Sequence, residues 1–338
     1  MKQITIKDIA REAGVSIASV SRALNGQDGI GQEKRDRILE VCERFSYTPN
    51  GLARGLVKQG TDTIGIIMPD IQSPFYSELM VKASDAAHKK GYKVLLCNSF
   101  REIPTEAQYL KLLVESQVQG ILIFPIGPRS LDSMEKYGKN VPVVALNELP
   151  EKSRIPYVCA DEERAGTLAT EYLISRGCKD LVFIGFKAER LAHRYRASSF
   201  LKTAARMRIP ARIFEGHSDF RSSFERGYEH FKQFLLSGEP MPDGIVAASD
   251  ATANGIVKAC RENGLRIPND FSLIGFDNIS TELPYLELTT VAVSHVEQTE
   301  KAVALLDQLV RGRQLSRAEA AVKLEPRLVE RRSCKNGM

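Results

Sequence analysis

The chain has 338 residues, of which 43% are hydrophobic and 26% charged, with a formal net charge of +5. That composition is ordinary for a globular protein and long enough for two or three domains with real cores, and no stretch approaches the ~20 apolar residues that would span a bilayer. The opening MKQITIKDIA is too charged for an export signal, and six scattered cysteines without CxxC spacing fit free thiols in a reducing, cytoplasmic compartment.

The charge is unevenly distributed. Residues 1–60 hold ten Lys and Arg against seven Asp and Glu, leaving 37 against 35 in the rest. A basic head on a nearly neutral body suits a polyanionic partner, although a small surplus is also what a solvated face carries.

In chain order, Thr5 can cap a first helix with Asp8 three residues on, and Ile4 and Ile9 stand where a hydrophobic staple would close. Ile6, Ile9, Ala10 and Ala13 form its inner stripe, and Gly14 ends it in a left-handed turn. Ser16 then caps a second helix, VSIASVSRALNG, whose inward residues are Val20, Ala23 and Leu24 and which stops at Asn25-Gly26. A third stretch, EKRDRILEVCERFSY, places Ile38, Val41, Cys42 and Phe45 on one face. Three short helices, the first two joined by a glycine turn, make a helix-turn-helix. The second helix keeps Ile17, Ala18, Ser21 and Arg22 off its core side. In the DNA major groove, Ile17 and Ala18 would suit thymine methyls, and Arg22 could give two hydrogen bonds to a guanine or one to a phosphate. A plain helical hairpin with a polar outer face carries the same pattern.

The next segment, TPNGLARGLVKQG, reads as a linker, or as a marginal helix that Gly51 and Gly55 weaken by roughly 1 kcal/mol each. Beyond it, strand-like runs alternate with amphipathic helical stretches: TIGIIM, KVLLC, GILIFP, VPVVAL, YVCA, DLVFIG, ARIFEG, GIVAAS and FSLIGF. Near-continuous apolar strands with helical crossovers imply parallel sheets covered on both faces. Two such series, roughly 61–160 and 161–290, give two doubly wound lobes. Ligands of such folds bind beyond the carboxyl ends of the strands.

TIKDIAREAGVSIASVSRALNG resembles the DNA-binding head of the lac repressor family (LacI/GalR-type) of bacterial transcription regulators. The resemblance continues through YTPNGLARGLV and TIGIIMPDIQSPFYSEL to IGFDN and LTTV, so it covers nearly the whole chain. It implies a helix-turn-helix domain at 1–48, a hinge helix at 49–60, and an effector-binding and dimerisation body at 61–338. That body is expected to resemble a periplasmic sugar-binding protein, with one lobe of about 61–161 and 291–320 and another of 162–290 and 321–333. The chain would cross between lobes near 161–163, 290–294 and 318–323. The family's DNA contacts fall on Thr5, Ser16, Ile17, Ala18, Ser19, Ser21, Arg22 and Asn25 in the head. In the hinge they fall on Asn50, Ala53, Arg54 and Leu56, the last matching a leucine that wedges between base steps in the minor groove. Its effector contacts fall on Phe75, Tyr76, Asn147, Arg190, Ala192, Arg196, Phe220, Asp250 and Asp277. Aromatics against a ring face, with Asp, Asn and Arg at its edge, suit a sugar or a nucleoside.

Two departures matter. Many members carry Asp where this chain has Asn147, and many have Gly-Pro where FIGFKAERLAHRYR stands. Arg190, Arg194 and Arg196 crowd that loop; they are solvated, paired with Glu189, or turned to a ligand bearing phosphate or carboxylate. No GxSxG, HExxH, GxGxxG or phosphate-loop motif is present, and the five histidines show no ligand spacing, so catalysis, metal and cofactor have no support. The expected partners are operator DNA, a small-molecule effector and a second copy of the chain, with no membrane. A dimer is expected because no leucine heptad follows VKLEPRLVERRSCKNGM. A transporter's solute-binding protein would fit the body but not the head. A regulator answering to a protein partner is a further alternative.

Overall fold

The head folds as its caps dictate. In the computed structural model, which describes residues 4–24, 28–47, 61–150, 153–188, 190–217, 222–279 and 286–335, two compact units divide after Thr61. The smaller holds α1 (Ile6–Ala13), α2 (Ile17–Leu24) and α3 (Gln32–Arg44). The Thr5 hydroxyl oxygen accepts the Asp8 N–H at 3.4 Å while the Asp8 carboxylate accepts the Thr5 N–H at 3.0 Å, a capping box. Gly14 takes φ 65°, the left-handed value that lets the chain turn into α2. The Ser16 hydroxyl then accepts the Ser19 N–H at 3.1 Å. Ile9, Ala10, Ala13, Val20, Ala23, Ile38, Val41 and Cys42 form the core. Ile4 stays 36% exposed. Phe45 leaves the α3 stripe: it is the residue on which the helix ends, is 38% exposed, and lies under the Arg44 guanidinium.

In the larger unit every one of the nine strand-like runs forms a strand. The first series gives β1 (Thr63–Met68), α4 (Pro74–Lys89), β2 (Lys93–Asn98), α5 (Ile103–Glu115), β3 (Gly120–Ile123), α6 (Ser130–Tyr137), β4 (Val143–Ala145) and β5 (Tyr157–Ala160). The second gives α7 (Glu162–Ser175), β6 (Leu181–Ile184), α8 (Leu191–Arg206), β7 (Ala211–Phe214), α9 (Ser223–Leu236), β8 (Gly244–Ala247), α10 (Asp250–Glu262) and β9 (Ser272–Phe276). Then follow β10 (Thr289–Ala292), α11 (His295–Val310), α12 (Arg317–Ala320), β11 (Ala321–Leu324) and β12 (Arg327–Val329). One sheet runs β11-β5-β4-β3-β1-β2, all parallel; the other runs β12-β10-β9-β8-β6-β7, parallel except where β12 meets β10. Alternate residues of each strand serve opposite faces: Ile64, Ile66 and Met68 enter one core cluster and Ile67 enters another.

The lobe boundaries differ from the sequence-based ones. β10 belongs to the second sheet through Ala292, and β11, assigned by sequence to the second lobe, pairs with β5 in the first. AVKL is a four-residue edge strand, half exposed, so no hydrophobic pattern fixes its place. The three crossings therefore lie at 160–162, 292–295 and 324–327, each only a few residues long, and the Asp161 N–H donates to the Leu324 carbonyl at 2.9 Å, tying the first to the third. All six cysteines are free and buried. Among the described residues no helix is long and apolar enough to cross a membrane.

Candidate functional site

The carboxyl ends of strands from both sheets open on one cavity between the lobes. Phe75 and Tyr76 reach it from the start of α4, Arg101 from beyond β2 and Phe124 from beyond β3. Asn147 and Glu148 follow β4, Glu162 follows β5, and Arg190, His193 and Arg196 follow β6; Ser249 follows β8 and Asp277 follows β9. Strand ends are where exposed backbone and loop side chains converge, which is why doubly wound sheets bind ligands there.

Arg196 organises this cavity. Its Nε and Nη2 donate to the two oxygens of Glu162 at 2.6 and 3.0 Å, and Nη1 donates to the Ala248 carbonyl at 3.0 Å. Nη2 also donates to Asp277 Oδ1 at 3.1 Å, and the guanidinium lies 4.4 Å from the Phe276 ring centre. Burial disfavours this charge, but Glu162 and then Asp277 outweigh it and hold the guanidinium above its ordinary pKa. The pairing depends on a close helix crossing: a Cβ on Gly166 of α7 would lie 2.4 Å from the Arg196 carbonyl oxygen on α8. Asp277 stands at φ 101°, a conformation that L-residues rarely take, and its Oδ2 makes no hydrogen bond among the described residues. Asp277 also lines the cavity.

The opposite wall is aromatic. Phe75 meets Tyr76, Phe124 and His295 edge-on at 5.0, 5.7 and 5.4 Å, and Tyr76 meets Phe124 at 4.9 Å. Asn147 Oδ1 accepts the Glu148 N–H at 2.9 Å, leaving its amide nitrogen as a donor. Glu148 is taken by Lys323 at 2.6 Å.

Asp250 does not line the cavity. It is 2% exposed, and both oxygens are used internally, Oδ1 by the Thr290 hydroxyl at 2.7 Å and Oδ2 by the Ile279 N–H at 3.0 Å. Burial, reinforced by Asp277, pushes its pKa well up. Its role is to fix the loop that carries Asp277. A carboxylate at a strand end looks the same in sequence whether it meets ligand or backbone. Arg190 and Ala192 line the cavity, and Arg194 is exposed at its mouth. Phe220 lies outside the described residues. The sequence reading missed Glu162, His193, Phe124 and Arg101. Phe124 and Arg101 follow strands and were findable by the strand-end rule that gave Asn147, whereas Glu162 is tied to Arg196 across 34 residues.

His193 is 3% exposed, and its Nδ1 has no hydrogen-bond partner among the described residues. Burial, then the charges of Arg190 and Arg196, hold it well below its ordinary pKa. A base depressed in the folded state contributes stability above about pH 6.5 and loses it as pH falls, by roughly 1.4 kcal/mol per unit. Glu106, Glu162 and Asp250, raised by burial, act in the opposite sense, so the His193 share must be read by difference. His193→Leu should flatten the fall in Tm between pH 7 and pH 5; parallel slopes in the two proteins would contradict this.

On the head, Ile17, Ala18 and Arg22 are exposed on α2, Ile17 at 44%, and Ser21 is half-buried. The hydroxyls of Thr5, Ser16 and Ser19 are engaged in the helix caps. Asn25, Asn50, Ala53, Arg54 and Leu56 lie outside the described residues.

A three-helix head with a bare face on its second helix, and a two-lobed body closed around a polar cleft, define a ligand-responsive DNA-binding protein. Residues 5–50 match the bacterial regulatory proteins of the lacI family and residues 170–334 the periplasmic binding protein-like domain. The chain is 34% identical to the HTH-type transcriptional regulator RegA of Clostridium saccharobutylicum, over 97% of this chain and 98% of that one. It belongs to the lacI family, whose members are transcription regulators and not enzymes. Among solved structures it resembles the Lac repressor bound to ONPG in the repressed state, with a TM-score of 0.84, 25% identity, and 98% and 100% of the two chains covered. It also resembles a LacI family regulator from Enterococcus faecium with bound ribose, with a TM-score of 0.69, 26% identity, and 81% and 98% covered.

Proposed function

We propose that the chain is a cytoplasmic, dimeric repressor whose affinity for an operator is set by a small molecule held between its lobes. The observation that carries this reading is Asp277, paired with Arg196 and lining a cavity to which both lobes contribute. A ligand touching both walls shifts the population of interlobe angles, and a second site that senses the angle is coupled to it, typically by ~1–3 kcal/mol. The sensing segment is residues 49–60, where Leu56 would enter the minor groove only when two such segments pair. Pairing needs a second copy. We assign the dimer contact to the free edge of the first sheet, where β2 leaves Leu95 and Leu96 43% and 52% exposed; unpaired edges bearing apolar side chains seek a partner.

The test has two parts. Selection from random duplexes should return a two-fold symmetric sequence, and a thermal-shift screen of sugars and nucleosides should return a ligand that changes affinity for it. Arg22→Ala should weaken binding to that duplex by about 1–3 kcal/mol and relax the preference at one base position. Unchanged preference would remove Arg22 from the groove.

A further inference from the structure

We infer that the ligand of this cleft is an anion, with a phosphate or carboxylate seated on Arg190. The inference rests on the reading of the cleft as the effector site and names the class of molecule that fills it.

The charged groups around the cavity are unevenly paired. Arg196 is paired with both Glu162 and Asp277, Glu148 with Lys323, and Arg101 with Asp70 at 3.1 Å. Arg190 is left over. It lines the same cavity, makes no ion pair among the described residues, and has one long hydrogen bond, 3.4 Å to the Ser223 hydroxyl. Burial works most against its charge, with Arg101 and Arg196 adding to that and Tyr76 and Asp277 acting the other way. Guanidinium groups stay protonated in proteins, so this one keeps its charge without a direct ion pair among the described residues. A half-buried cation without a direct ion pair is costly, and an arriving anion supplies one while accepting two parallel N–H bonds.

Two further features agree. His193, lining the same cavity, is held neutral, and its unpartnered Nδ1 can engage a ligand oxygen or hydroxyl. The adjoining mouth adds Arg129 and Arg194 to Arg190, with the acid Glu102 beside them, and a cleft rich in one sign of charge concentrates ligands of the other.

Thermal unfolding of the full-length protein tests the inference with sodium phosphate, titrated against sodium chloride at matched ionic strength and pH. Phosphate should raise Tm saturably above chloride. The apparent dissociation constant should weaken at least tenfold in Arg190→Gln, less in Arg190→Lys, and not at all in Lys202→Gln, an exposed residue of α8. Comparing ribose 5-phosphate with ribose, and gluconate with glucose, then tells a phosphate ester from a carboxylate as the natural source. A phosphate effect no larger than that of chloride, or one that survives in Arg190→Gln, overturns the inference. If neutral sugars or nucleosides alter duplex affinity while no anion does, the anion fails and the effector reading stands. If no compound of either class alters duplex affinity, both fall.

Discussion

Arg196→Ala should destabilise the two-lobed body by about 3–5 kcal/mol, the range for breaking a buried ion pair by removing one partner. The substitution deletes donors to Glu162, Asp277 and the Ala248 carbonyl together. Glu162, 6% exposed, and the neighbouring Asp277 are then left with like charges and no cation between them. For a unit of this size one kcal/mol moves Tm by ~2–4 °C, so a fall of about 10 °C is expected. Arg196→Lys should recover little of it, because one ammonium cannot meet both oxygens of Glu162 and reach Asp277 as well. The sign of the pH dependence is diagnostic. Without Arg196 the buried Glu162 carboxyl titrates higher still, so the variant regains stability as pH is lowered towards 5 and loses it as pH rises. A Tm within 2 °C of the parent at pH 7 would mean that the network holds nothing together.

Asp277→Ala should abolish the effector response. The lost contact is a charge-assisted hydrogen bond, or two, from ligand groups to a carboxylate, each worth about 1.5–3 kcal/mol. Ligand affinity should therefore fall by roughly 10- to 100-fold or more. Asp277→Asn separates charge from shape, since Asn tolerates positive φ better than Ala and keeps one acceptor. It should bind the ligand with intermediate affinity and keep more of the parent Tm. Measured as ligand titrations of duplex binding, a normal response in Asp277→Ala would exclude the residue from the ligand's surroundings.

Much of this architecture was readable in one dimension because it depends on near neighbours. Thr5 with Asp8, Gly14, and the spacing of Val20 and Ala23 define the head locally, and the apolar runs from TIGIIM to FSLIGF define the sheets. The roles of individual polar residues were harder to read. Arg196 stood out as a binding residue, yet its direct partners lie 34 and 81 residues away, and the same residue letters suit either a ligand contact or a strut beneath one. Asp250 shows the ambiguity, having been expected at the ligand and found holding the Ile279 amide. β11 was misplaced for a related reason, since four half-exposed residues can join either sheet until the rest of the chain has packed.

The three short crossings carry a consequence for signalling. They run from β5 to α7, from β10 to α11 and from β11 to β12; β5 and β11 are neighbours in one sheet, β10 and β12 in the other, and the Asp161 amide bolts the first crossing to the third. Joined like a door on several knuckles, such lobes favour a swing about the crossings over sliding past one another. Molecules of different bulk in the gap would then differ only in how far the door stands ajar, so one protein could be pushed towards or away from DNA by two ligands that touch the same residues.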